Sequence, residues 1–297
     1  MITTSDFCIK EYGQKLYKIS FDAGFTCPNR DGSISKGGCI FCSEGGSGDF
    51  AVSIKSCAND NELEEQIRKA KEKVARKYKG DKYIAYFQAY TNTYADINTL
   101  RNIYEPIIRR DDIAVLSIAT RPDCLNEEVY SLLSELVKIK PIWVELGLQT
   151  TKEKSIAVIN RGYDTCVYDD AIKRLNEIGI HTITHVILYL PGESTIDMQN
   201  TISHCVSVGT KGIKLQLLHV LRNTRLADMY EHEHFHIPSL NEYISTLKEC
   251  LSIIKDDVVV HRLTGDPPKK LLIEPIWAAD KKRVLNTINQ AIKIKNN

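Results

Sequence analysis

The feature that most constrains this chain is a regular alternation of short β-branched or aromatic runs with longer segments of helical spacing. The runs at 16–21, 83–87, 113–118, 142–148, 182–188 and 213–217 predict strands. Between them, 62–78, 97–108, 126–137, 167–178 and 195–208 carry apolar residues at helical spacing among good helix formers. Gly80, Pro122, Pro141, Gly179 and Gly192 punctuate many of the joins. Alternation of this kind means parallel strands linked by right-handed crossovers. Six such units are too few to close an eight-stranded barrel. They fit an α/β fold built as an open partial (β/α)6 TIM-like barrel, with a doubly wound sheet as the alternative topology. Either topology gathers its chemistry at the C-terminal ends of the strands.

After Arg222 the alternation breaks down. A polar stretch with His232, His234 and His236 leads to a helix near 240–254, a short strand at 258–261 and a final helix from about 281. The expected division is a barrel over 1–222 and a C-terminal α/β extension over 223–297, packed on the barrel. At 297 residues and 43% hydrophobic, the chain can bury a sizeable core without covalent staples. No apolar run approaches the roughly 20 residues that cross a bilayer, and Met1 to Lys10 does not read as a secretory signal. A cytoplasmic protein with no membrane partner is expected.

Nine cysteines are many for such a chain, and a reducing compartment would not keep a disulfide framework. Three of them cluster. Cys27-x11-Cys39-x2-Cys42 lies directly after the first predicted strand, in a loop (24–46) rich in turn formers that lets thiolates converge. Three thiolates on a four-iron cubane leave one iron open for a small molecule. Structural zinc wants four ligands, which Cys57 or a histidine would have to complete, and a site without metal is the third reading. Cys8, Cys57, Cys124, Cys166, Cys205 and Cys250 show no second-cluster spacing and read mostly as small core residues. His232-x-His234-x-His236 would share one face of a strand, but acidic neighbours and Pro238 favour a solvated loop.

The run 20–32 (Ser-Phe-Asp-Ala-Gly-Phe-Thr-Cys-Pro-Asn-Arg-Asp-Gly), with 37–43 (Gly-Gly-Cys-Ile-Phe-Cys-Ser), resembles the opening of the YhcC/YtqA-type radical S-adenosylmethionine (SAM) proteins, relatives of the Elp3 radical SAM domain. The resemblance extends to Thr120-Arg121-Pro122-Asp123, to Glu145-Leu146-Gly147-Leu148-Gln149 and to Arg262-Leu263-Thr264-Gly265-Asp266. It implies a [4Fe–4S] cluster on Cys27, Cys39 and Cys42, with SAM on the open iron. Reduction of the cluster by a donor such as flavodoxin or ferredoxin would cleave SAM to a 5′-deoxyadenosyl radical. The family's Gly-rich run after strand two is replaced by Gln88-Ala89-Tyr90-Thr91, so Gln88 or Thr91 is the expected contact there. Gln149 is expected to meet the SAM ribose or carboxylate, Arg161 to pair with the methionyl carboxylate, and Glu145 and His185 to face the cofactor.

Each has a plainer reading: Glu145 as an interior carboxylate met by a basic residue, Arg161 as a surface residue, His185 as a hydrogen-bonded core histidine. The resemblance also implies a substrate, the C5 side chain of the wobble uridine of tRNA, remodelled from carboxymethylaminomethyl to aminomethyl. Net charge is only +1, so support from charge is local. One helix carries Arg68, Lys69, Lys71, Lys73, Arg76, Lys77 and Lys79, and the C-terminal region from Arg262 onward is basic, ending with Lys293 and Lys295. Such faces meet phosphates or are simply solvated. A small-metabolite substrate and a zinc-stabilised RNA-binding protein are the alternatives.

Overall fold

The computed structural model describes residues 1–46, 51–54 and 60–292; Cys57, Lys293 and Lys295 lie outside them. The N-terminal half runs β1 (Ile2–Thr3), α1 (Thr4–Tyr12), β2 (Tyr17–Asp22), β3 (Val52–Ser53), α2 (Asp60–Val74), β4 (Tyr83–Phe87), α3 (Ile97–Ile108), β5 (Ile113–Thr120) and α4 (Glu127–Leu136). It continues through β6 (Ile142–Gln149), α5 (Glu153–Val158), α6 (Thr165–Glu177), β7 (His181–Leu188), α7 (Thr195–Val208) and β8 (Gly212–Leu217). The remainder is β9 (Val220–Leu221), α8 (Arg225–Glu233), α9 (Leu240–Ile253), β10 (Val259–Arg262), β11 (Leu272–Glu274) and α10 (Lys281–Ala291).

Nine strands form one open, curled sheet in the order β1-β10-β8-β7-β6-β5-β4-β2-β3, every neighbouring pair parallel. This is the partial barrel anticipated from the sequence, and the six expected strands are β2, β4, β5, β6, β7 and β8. The sheet is three strands wider than the alternation indicates. β1 and β3 have two residues each, too short to show a period, and β10 comes from the C-terminal region to pair with β8.

Residue parity sorts the sheet into two faces. Ala85, Phe87, Leu116, Ile118, Val144, Leu146 and Leu148 belong with the crossover helices in the main core. Ile84, Val115, Trp143 and Ile183, one residue out of phase, meet Phe7, Cys8 and Tyr12 of α1 on the concave face. α1 thus closes the N-terminal end of the half-barrel. It is fixed there by a capping box between Thr3 and Asp6 and by Gly13, whose φ of 72° ends the helix left-handed.

Candidate cofactor site

The cysteine loop hangs beyond the C-terminal end of β2 and is pinned from three sides. Ile40, between the paired cysteines, enters a small apolar cluster with Ile159, Ile187, Leu218 and Leu226. Its backbone N–H donates to the Ile159 carbonyl (3.1 Å), and its carbonyl accepts from Leu226 N (2.9 Å). Arg225 donates to the Gly38 carbonyl, so the start of α8 clamps the loop from the C-terminal region. From the far side, Asn29 Nδ2 bonds the Asn160 carbonyl (2.6 Å) and reaches Cys39 Sγ (3.6 Å). Gly162, with φ of 81°, lets this approach happen: a Cβ there would stand 3.0 Å from Asn29 Oδ1.

Cys27, Cys39 and Cys42 are free thiols. A hydrogen bond from Cys42 lowers the Cys39 thiol to about 7; the Arg121 guanidinium reinforces this against burial. The same bond and burial push the Cys42 thiol up. Arg121 is itself held by Asp123, Nε to Oδ1 at 2.9 Å and Nη2 to Oδ2 at 2.7 Å. Soft thiolates beside guanidinium and amide donors form a donor set that fits an anionic iron–sulfur cluster.

Beside this loop lie the strand ends. After β4, Ala89 (φ 75°) and Tyr90 (φ 55°) both adopt the left-handed conformation. The turn the family makes with glycines is therefore made here without them, at about 1–3 kcal/mol of strain per residue. Asn92 holds it, its Nδ2 donating to the carbonyls of Ala89 (3.0 Å) and Ala119 (2.9 Å). Thr91 is buried, and its Oγ1 has no hydrogen-bond partner among the described residues. Gln88 bonds Phe21 O only through its backbone N–H (3.1 Å). Gln149, at φ 64°, turns its amide back to the Gly147 and Leu148 carbonyls (3.0 and 2.9 Å).

Arg161 is not a surface residue, and most of its fork is engaged within the chain. It is buried, with Nη1 donating to the carbonyls of Leu148 (2.9 Å) and Thr150 (2.8 Å), Nε to Tyr163 O (3.0 Å) and Nη2 to Thr165 Oγ1 (3.1 Å). One hydrogen of its fork remains for any ligand. Its main work is to tie the end of β6 to the segment that carries Asn160 and Gly162.

Glu145 and His185 come together, deeper in the concave face, as members of a buried network. Glu145 accepts from Lys18 Nζ (2.6 Å), Ser117 Oγ (2.9 Å), His185 Nε2 (2.8 Å) and Lys214 Nζ. Gln216 Nε2 lies 3.3 Å from His185 Nδ1, and Arg262 Nη1 donates to Gln216 Oε1 (3.4 Å). Against the upward push of burial, Lys18 and Lys214 hold the Glu145 carboxyl well below its usual range. Burial, helped by Lys214, pushes His185 down to about 4, so it is neutral at pH 7. The plainer readings of both residues describe this arrangement. Sequence reasoning missed Lys18, Lys214 and Arg262, although a lysine between Ile213 and Leu215 of an apolar strand is a visible signal.

Other candidates do not assemble. His232 lies in the last turn of α8 and His234 is its left-handed cap (φ 45°), so no strand aligns the three histidines. In the basic helix, Arg68 pairs with Glu65 and Glu72, Lys69 with Glu65, and Lys71 with Asp112. Those charges are largely neutralised locally. Cys8, Cys205 and Cys250 are buried, whereas Cys166 is exposed.

Residues 27–205 match the family described as the Radical SAM superfamily, and residues 210–293 match the Radical SAM C-terminal domain. The Bacillus subtilis (strain 168) protein YtqA is 40% identical over 291 residues, which covers 98% of this chain and 89% of that protein. Escherichia coli (strain K12) YhcC is 34% identical over 273 residues, or 92% of this chain and 85% of that one. Among solved structures, the archaeal Methanocaldococcus infernus Elp3 with residues 1–46 deleted superposes with a TM-score of 0.64 at 16% identity. It covers 98% of this chain, which spans only 64% of that chain, and at this identity the likeness concerns the fold alone.

Proposed function

The chain belongs to the radical SAM superfamily, and from that footing we propose that it remodels the C5 side chain of the tRNA wobble uridine from carboxymethylaminomethyl to aminomethyl. It binds a [4Fe–4S] cluster and SAM. We assign the cluster to Cys27, Cys39 and Cys42. When bound and reduced by a donor such as flavodoxin or ferredoxin, the cluster supplies the electron that splits SAM into methionine and a 5′-deoxyadenosyl radical. This chain's own residues position and shield. Ile40 and Leu226 seat the cysteine loop, the Arg161 fork fixes the end of β6, and Gln88, Thr91 and Gln149 offer polar atoms to SAM at the strand ends.

The observation that carries the enzymatic reading is the three-thiol loop seated over the mouth of a parallel half-barrel. The tRNA reading is supported by the motif resemblance to the Elp3-related branch. One observation favours the small-metabolite alternative: Arg68, Lys69 and Lys71 of α2 are ion-paired, so they are poor phosphate contacts. Steeply salt-dependent tRNA binding separates the two, because counterion release accompanies phosphate contact.

The test is anaerobic reconstitution with iron and sulfide, reduction with dithionite, addition of SAM and quantification of 5′-deoxyadenosine. Wild type is expected to form it, and Cys27→Ala, Cys39→Ala and Cys42→Ala are not. Uptake of one zinc and no iron would overturn the assignment. Mass spectrometry of tRNA nucleosides, before and after incubation, then tests the substrate.

A further inference from the structure

The middle layer of the concave face does not balance its charge. Glu145 is sealed from solvent, and it is the sole carboxylate serving both Lys18 (2.6 Å) and Lys214 among the described residues. Arg262 forms no ion pair among the described residues and rests on the Gln216 amide. Both ammonium groups also stand over the same ring, Lys18 Nζ 4.2 Å and Lys214 Nζ 4.8 Å from the Tyr86 centroid. With His185 neutral and Tyr86 held protonated by burial, three basic side chains share this layer with one carboxylate. Uncompensated buried charge is costly, and proteins keep it where a ligand completes it.

Access is also arranged for a ligand. The Lys18 side chain is 25% exposed and that of His185 is 18% exposed, whereas Glu145 is at 0%. A group entering the concave face therefore meets the Lys18 ammonium before it meets the carboxylate. Burial, with Lys18 and Arg262 adding to it, lowers the Lys214 ammonium well below its ordinary value against the pull of Glu145. A second anion nearby would hold that proton in place.

We propose that Lys18, Lys214 and Arg262 form an anion subsite on the concave face that binds a carboxylate carried by the substrate. A single negative charge fits a layer with one exposed ammonium and one guanidinium. The subsite stands on charge and geometry; its occupant, the carboxymethyl arm of a wobble uridine, rests on the function proposed above.

The experiment uses the cluster-loaded protein, saturated with SAM so that SAM's own carboxylate is already placed. N-acetylglycine and its neutral counterpart N-acetylglycinamide are titrated by ligand-observed NMR. The carboxylate is expected to bind at least about tenfold more tightly than the amide, the scale of one charge-assisted hydrogen bond. Arg262→Met and Lys214→Met should abolish that preference. Glu145→Gln should strengthen carboxylate binding, an effect that a merely damaged fold would not produce. Equal binding of the two probes by wild type, or an unchanged preference in both basic variants, would overturn the subsite. The same titration with 5-carboxymethylaminomethyluridine and its amide tests the occupant separately. Preference for the N-acetylglycine carboxylate without preference for the uridine carboxylate upholds the subsite and sinks the tRNA reading.

Discussion

Replacing Glu145 by glutamine removes the one negative charge that buried Lys214 and half-buried Lys18 share while keeping nearly the same shape. The new amide oxygen can still accept from Ser117 and Lys18, so the loss falls mainly on Lys214, whose side chain is 3% exposed. Stripping one partner from a buried ion pair costs about 3–5 kcal/mol. A ceiling follows independently. Lys214 can escape by shedding its proton, and neutralising a lysine of ordinary pKa at pH 7 costs about 5 kcal/mol. For 297 residues this corresponds to a fall in Tm of about 5–8 °C. The assay is equilibrium urea and thermal unfolding of the metal-free chain under anaerobic reducing conditions, wild type against Glu145→Gln. Because the folded carboxyl is depressed, its contribution is complete above the ordinary glutamate value of 4.5. The gap should therefore be present at pH 6 and begin to close as pH falls below about 4.5. The double variant Glu145→Gln/Lys214→Met should recover much of the loss. A difference under about 1 kcal/mol at pH 6, or no recovery in the double variant, would refute the reasoning.

Thr91→Val removes a hydroxyl without a partner, so Tm should hold or rise slightly; SAM affinity of the cluster-loaded protein, read by calorimetry, should fall about tenfold if that hydroxyl meets SAM. Arg161→Lys cannot reproduce the fork to the Leu148 and Thr150 carbonyls and should cost about 2–3 kcal/mol by urea unfolding. Gly162→Ala meets both a φ of 81° and the 3.0 Å approach of Asn29 Oδ1, costing about 1–3 kcal/mol. Because Asn29 also reaches Cys39 Sγ, that variant should lose iron to a chelator faster than wild type.

The barrel was legible because its strands and helices are long enough to display their periods. The cysteine loop stands out in the sequence because its three cysteines lie within 16 residues of one another. The buried network was only half legible. Parity puts Glu145 on the inner face, but its lysine partners lie 127 and 69 residues away, and only the curl of the sheet brings them in. Arg161 was assigned a ligand by resemblance, and nothing local announces that backbone carbonyls take its fork. The basic helix is a different case. Glu65 and Glu72 stand three and four residues from Arg68, so helical spacing alone foreshadows its neutralisation. At Ala89 and Tyr90 no glycine announces the left-handed turn, which is held instead by the buried Asn92 amide.

β1 pairs with β10, and β10 with β8. During synthesis Ile2 and Thr3 emerge well before the strand that receives them, which follows about 257 residues later. α1 follows β1 directly, so the helix that stoppers the half-barrel waits for a strand made long after it. Through most of translation the underside of Trp143 stays uncovered, and the exposed apolar face is a target for chaperones. Seating these first residues is a long-range closure of high entropic cost. The pairing of Ile2 and Thr3 with β10 therefore fixes the stopper at the opposite end of the barrel from the cysteines.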